Sequence, residues 1–289
     1  MADHHAAELL GLTGAVALVT GGGGGIPKAT AIALAKAGAD VAVVDIAEEY
    51  AARTVKEVEA LGRRAIALGA DVRVPEQVRA MVEETRTGLG PITVAVNGVG
   101  SLGATTPKSF LDYDLAEWNG PIELNLTSAM LCMQAEALAM IRDGVPGRIV
   151  NFGSTSGVTA APSVSHYGAA NAGVLHLTRS VALELAPYGI RVNCVVPGTH
   201  DIDRAGRETP TSRRPGQAEF MRKAAEATPQ GRLGGAEETA GVAVFLASDL
   251  SSYMTGHSVV SDGGITHTTR RPAVGALKPA ALSDIGSPS

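Results

Sequence analysis

Short apolar runs alternate with longer stretches of helical period along most of the chain. Ala15-Val-Ala-Leu-Val-Thr20 and Asp40-Val-Ala-Val-Val-Asp45 are compact, rich in β-branched residues and bounded by glycine or polar positions. Continuous rather than alternating hydrophobicity is the pattern of strands buried on both faces. Similar runs fall at 64–68, 93–96, 148–151, 189–196 and 257–260. Between them, helical periodicity predicts helices from the glycine run to Gly38, over 47–61, over 75–88 behind Pro75, from Glu117 to Arg142, from Val164 to Pro187, and over 236–248. Strands alternating with helices predict an α/β fold, a doubly wound parallel sheet with helices on both faces. No internal repeat or linker divides the chain, so residues 13–266 read as one domain. Residues 1–12 read as an extension and 267–289 as an unstructured tail. The segment 200–230, charged and rich in Pro and Arg, reads as a lid or a solvated loop.

Composition narrows the class. With 45% hydrophobic but only 3% aromatic residues, the core must be filled by small aliphatics, and 35 glycines suit tight strand-to-helix turns. A net charge of −5 gives no reason to expect nucleic acid or an anionic membrane as partner. The first residues lack the basic and apolar regions of a signal peptide, and no run of 18 apolar residues suggests a membrane span. Cys132 and Cys194 form no CxxC and sit in apolar segments, which predicts buried, reduced thiols in a cytoplasmic protein. No His/Cys/Asp/Glu cluster has metal-ligand spacing, so no metal is expected.

The first strand runs into Gly21-Gly-Gly-Gly-Gly25, then a helix, then a strand ending at Asp45. That is the context a dinucleotide fingerprint requires. Glycines let the backbone approach a pyrophosphate, and the amides at the helix N-terminus meet its charge. A carboxylate at Asp45 can accept from adenosine ribose hydroxyls and would repel a 2′-phosphate, which favours NAD over NADP. The alternative is that Asp45 merely caps the following helix. Farther along, Asn151-Phe-Gly-Ser154 ends a buried strand, and Tyr167 and Asn171 follow one helical turn apart on the next helix.

Thr20-Gly21-x-x-x-Gly25-Ile26, Ser154 and Tyr167 together resemble the short-chain dehydrogenase/reductase family, over about residues 12–266. The resemblance implies a Rossmann-type fold and an NAD(H)-dependent oxidoreductase acting on a small-molecule secondary alcohol or ketone. Tyr167 would be the acid/base and Ser154 the donor that positions the oxygen. It further implies cofactor contacts at Gly21, Gly25, Ile26, Asp45, Asp71 and Val72 (adenine), Asn97, Tyr167, Asn171, and the Pro197-Gly198-Thr199 turn (nicotinamide). Asn125 would hold a water linking its helix to the active-site lysine, or else be a satisfied core residue. The long helices 119–142 and 164–187 would build a homo-oligomer, a tetramer.

Three positions depart from the family pattern. Pro27 stands where a third glycine is usual. Gly98-Val99 replaces Asn-Ala between Asn97 and Gly100. Asn171 replaces the lysine whose charge eases tyrosine ionisation. The Gly98-Val99 change is small, but Pro27 and Asn171 keep a second reading open: the same fold with lost or altered redox chemistry, as a pseudoenzyme, a binding subunit, or a lyase or isomerase. Among histidines, His166 points about 100° around the helix from Tyr167, and His176 reads as a packed or surface residue. His200 is placed to reach a cleft or to be an idle polar residue of the loop.

Overall fold

The computed structural model describes residues 10–201 and 216–268. Most of the expected extension and tail, and the middle of the expected lid, lie outside the described residues. Seven strands form one parallel sheet: β1 (Val16–Thr20), β2 (Asp40–Asp45), β3 (Ala65–Gly69), β4 (Val94–Asn97), β5 (Gly147–Phe152), β6 (Ile190–Pro197) and β9 (Ser258–Ser261). Their spatial order is β3-β2-β1-β4-β5-β6-β9. The chain builds outward from β1 through β3, then restarts at β4 on the other side of β1. That reversal between β1 and β4 opens a crevice at the strands' carboxyl ends. A two-residue ribbon, β7 (His200–Asp201) with β8 (Gly234–Gly235), stands apart from the sheet. It is too short to leave a periodicity in the sequence.

Adjacent strand residues face opposite sides, and both sides are buried. Ala17, Val19, Val41 and Val43 pack with α1 (Gly25–Lys36), α2 (Glu48–Glu59) and α8 (Ala236–Ala247). Leu18, Ala42, Val44 and Ala95 pack with α3 (Pro75–Leu89), α5 (Ser128–Asp143) and α6 (Ser165–Leu185). The two layers are the expected helices on both faces. Another helix, α7 (Gln217–Ala227), follows the undescribed segment.

The long central helix is not uniform. It begins as α4 (Leu115–Pro121), widens into a π segment over Ile122–Thr127, and continues as α5. Pro121 has no N–H to give the ladder, and the Asn125 side chain donates to the Pro121 carbonyl at 2.8 Å. A widened turn results, which an apolar helical period does not reveal. By length and composition the combined Leu115–Asp143 helix could cross a membrane, but half of its most apolar window is buried inside the fold.

Candidate active site

The glycine turn after β1 is locked to the end of β2. Gly22 N donates to the Val44 carbonyl at 3.0 Å, and Gly23 N donates to Asp45 Oδ2 at 3.0 Å. From α2, Thr54 Oγ1 donates to the Gly22 carbonyl at 2.8 Å. Asp45 Oδ1 also accepts from Ile46 N at 2.8 Å. The cap of α2 is Ala47, with no side-chain hydrogen bond, so Asp45 serves the glycine turn rather than capping that helix. At the start of α1 no side chain caps the amides and no acidic residue occupies the first turn. Gly21, at φ +72°, would bring a Cβ within 3.2 Å of the Gly98 backbone. This uncapped, close-packed turn fits the pyrophosphate of a dinucleotide.

Pro27 is accommodated by Gly98. A Cβ on Gly98 would lie 2.5 Å from Pro27 Cγ and 2.7 Å from the Thr20 carbonyl oxygen. Two of the departures from the family pattern are therefore one packing solution: the proline ring occupies the space that any side chain at 98 would need. Pro27 lies in the first turn of α1, where a missing N–H is tolerated, and the helix is unbroken.

The turn after β4 is held from several directions. Thr20 Oγ1 donates to the Val96 carbonyl at 3.3 Å and accepts from Gly98 N at 3.2 Å. Asn97 Nδ2 donates to Asn151 Oδ1 and to Glu136 Oε2, each at 3.1 Å. Asn125 Nδ2 reaches the Ser101 carbonyl at 2.8 Å as well as that of Pro121. Asn125 thus ties the 97–101 turn to the π segment. Asp71 and Val72 follow β3; the Asp71 carboxylate is paired with Arg73 at 2.6 Å, which holds it below the usual carboxylate range against the opposing effect of burial. Val72 is part of the core.

At the end of β5, Ser154 starts a short 3-10 turn over Thr155–Gly157, and its Oγ accepts from Ser156 N at 3.2 Å. Tyr167 lies in the first turn of α6. Two glycines bring these segments together. A Cβ on Gly157 would meet Asn171 Cβ at 3.0 Å, and one on Gly168 would meet the Ser156 carbonyl oxygen at 3.0 Å. Asn171 is buried, and its Nδ2 donates back to the Tyr167 carbonyl at 2.9 Å. That bond spends one of the two amide hydrogens on the helix.

Residues 101–117 are fastened to the segment before α6. The Ser163 carbonyl accepts from Lys108 N at 3.0 Å and from the Tyr113 hydroxyl at 2.7 Å. Ser163 has φ +68°, the left-handed conformation, found at no other non-glycine among the described residues. His166 is buried against Thr105 Oγ1 at 3.1 Å and the Tyr113 ring, with a centroid separation of 4.4 Å, and burial lowers its pKa. Its ring is thus turned onto the 101–117 segment, and His176 is exposed.

His200 lines a cleft with both ring nitrogens hydrogen-bonded inside the protein. Nδ1 faces the Gly198 carbonyl at 3.0 Å and therefore carries the proton; Nε2 then accepts from Thr239 Oγ1 at 2.6 Å. It pins the β7–β8 ribbon to α8. Beside it a cavity of about 390 Å³ opens past the Pro197-Gly198-Thr199 turn, lined by Thr199, His200, Thr228, Asp262, Gly264 and His267 among others. Both cysteines are buried with raised pKa values, Cys194 to about 12, through burial. No group of metal-binding side chains occurs among the described residues.

A family model described as Enoyl-(Acyl carrier protein) reductase matches residues 21–266. Cyclohexanol dehydrogenase of an Acinetobacter species is 39% identical over 251 residues, 87% of this chain and 94% of that protein. The chain belongs to the short-chain dehydrogenase/reductase family. L-rhamnose 1-dehydrogenase (NAD(P)(+)) of a Sphingomonas species is 37% identical over 260 residues, 88% of this chain and 97% of the other. A solved short-chain dehydrogenase/reductase from Mycobacterium marinum superposes with a TM-score of 0.81 at 37% identity, covering 90% of this chain and 98% of that one. Membership makes the protein an oxidoreductase with a nicotinamide cofactor and a small-molecule substrate.

One buried group escaped the sequence reading. Glu136, on α5, is fully buried beneath the β4 turn. The signal was present: a charged residue among Cys132, Met133, Ala137 and Met140 on the apolar side of a helix.

The Pro27–Gly98 contact is open to test. Gly98→Ala is expected to weaken NADH binding about tenfold, or about 1.4 kcal/mol, by calorimetry. Pro27→Gly in that background should recover part of the loss, the remainder reflecting the Thr20 carbonyl. Unchanged binding in Gly98→Ala would mean the turn yields without cost.

Proposed function

We propose that this family member transfers a hydride between NAD(H) and a secondary alcohol or ketone, with Tyr167 exchanging the proton and Ser154 positioning the substrate oxygen. The carrying observation is the contact between the Ser154–Gly157 turn and the first turns of α6, where glycine replaces side chains on both partners. This closeness supports a reading in which a hydroxyl donor and a phenol would serve one substrate oxygen. The nicotinamide, when bound, supplies or accepts the hydride.

Gly21, Gly25 and Ile26 at the α1 N-terminus would hold the pyrophosphate, and Asp45 the adenosine ribose. Asp71 and Val72 would border the adenine, Asn97 the cofactor's inner edge, and Pro197, Gly198 and Thr199 the nicotinamide. Asp45 supports NAD because its buried carboxylate would oppose a 2′-phosphate. Lys28, the base nearest in sequence to the glycine turn, is paired with Glu57 at 2.7 Å. The relatives' names include a ring alcohol and a sugar, so ring-borne carbinols are the first substrates to assay.

Asn171 is the observation that favours lost or altered redox chemistry. Tyrosine ordinarily ionises near pH 10, and Asn171 brings no cation to the Tyr167 turn. Cytoplasmic location and a homotetramer complete the proposal. Exposed Met130 and Leu138 on α5, with Leu183 on α6, supply apolar surface for assembly.

Asn171→Lys should move the pH–rate profile for alcohol oxidation towards neutrality by about one unit, roughly tenfold in rate near pH 7. Tyr167→Phe should abolish that gain. An unchanged profile, with NADH still bound, would transfer the proposal to a non-redox role on this fold. Light scattering at micromolar concentration should report four chains; a mass near 29.4 kDa would refute assembly.

A further inference from the structure

Glu136 has no exposed surface, and its one hydrogen bond here is from Asn97 Nδ2 to Oε2 at 3.1 Å. Two oxygens in this pair lack partners: Glu136 Oε1 and Asn97 Oδ1. They are the second oxygen of the carboxyl and the carbonyl of the amide already bonded to it. Both Asn97 amide hydrogens are spent, one on Glu136 and one on Asn151 Oδ1 at 3.1 Å. An ionised carboxylate only accepts, so it could satisfy neither orphan. A protonated carboxyl donates through one oxygen while accepting through the other, and so can satisfy both.

Among the described residues, no basic group acts on the carboxyl. The groups gathered around the carboxyl are Asn97 from β4, Asn151 from β5 behind it, and Thr178 from α6, which accepts from Asn151 Nδ2 at 2.9 Å. On α5 itself the titratable neighbour is Cys132, one turn away, whose thiol is pushed up by burial and then by Glu136. From α3, Arg86 and Glu83 engage Asp143 and Arg142, about two turns farther along α5. Burial accordingly pushes the Glu136 carboxyl up to about 8, opposed by the Asn97 hydrogen bond.

We propose that Glu136 is a protonated positioning residue whose carboxyl forms a two-way acid–amide pair with Asn97, fixing the 97–100 turn against which the cofactor binds. Its tie to the cofactor rests on the nicotinamide reading above; the protonation does not. The sign of the pH effect follows from linkage. A folded-state pKa raised from 4.5 to about 8 means the folded protein keeps a proton that the unfolded chain releases. Stability therefore falls as pH rises through that interval and levels off above it. Ionisation breaks the pair and loosens the turn.

Glu136→Gln tests this, because its amide carbonyl accepts from Asn97 Nδ2 and its amino group donates to Asn97 Oδ1 at every pH. Denaturant unfolding and NADH calorimetry are run on both full-length proteins between about pH 6 and pH 9. Wild type is expected to lose stability and to bind NADH about tenfold more weakly at the alkaline end, one pKa unit's equivalent. Glu136→Gln should hold its NADH affinity within about twofold and omit the stability loss. The same pH dependence in both proteins overturns the proposal. Infrared spectra of wild type with isotope-labelled glutamate give a check that needs no variant. A carboxylic-acid carbonyl band at about pH 6 that titrates near about pH 8 supports the pair; only carboxylate at about pH 6 overturns it. NADH failing to bind at any pH would overturn the cofactor reading alone, leaving protonation to the stability and infrared results.

Discussion

The structure depends on how closely the carboxyl ends of β1 and β4 approach each other. These strands are neighbours in the sheet but lie on either side of the chain reversal, so the turns leaving them diverge and open the crevice. Backbone lies within side-chain distance there: Gly21 against Gly98, and Gly98 against Pro27 and Thr20. Any Cβ at 98 would have to displace backbone or a proline ring. The glycine turn can therefore offer free amides at the start of α1 only while the β4 turn keeps its shape.

That shape is set from below by polar side chains rather than by apolar packing. Asn97, Asn151, Thr178 and Glu136 form a connected set on the α3–α5–α6 side of the sheet, where water is excluded and unsatisfied groups are costly. Asn125 adds a tie from the π segment to Ser101. The network joins the β4 turn to α6, which carries Tyr167. The shape of the crevice is thus a property of the sheet's carboxyl edge as a whole.

Much of the fold was legible because the strands are buried on both faces, leaving continuous apolar runs separated by helical periods. The placement of Ser154 after a strand and of Tyr167 at a helix start was legible because an apolar run ends just before the one and a helical period begins just before the other. Pro27 looked damaging by itself, since its packing partner Gly98 is distant in sequence and only the fold joins them. The π turn at Asn125 was hidden because a widened turn keeps the apolar period. Glu136 was overlooked within an apolar helix, although a lone charge there is itself a signal. His200 drew attention through its position after Pro197-Gly198; its two hydrogen bonds, one to a residue 39 positions away, spend both ring nitrogens on structure.

The proposed dinucleotide cleft lies between the glycine turn and the β4 turn, with Asp45 at its adenosine end. Paired calorimetric titrations of NADH and NADPH into the wild-type chain test it most directly. One NADH per chain at nanomolar-to-micromolar affinity is expected, at least tenfold tighter than NADPH, or about 1.4 kcal/mol. Absence of NADH binding would contradict the cleft, and equal or tighter NADPH binding would contradict the role given to Asp45.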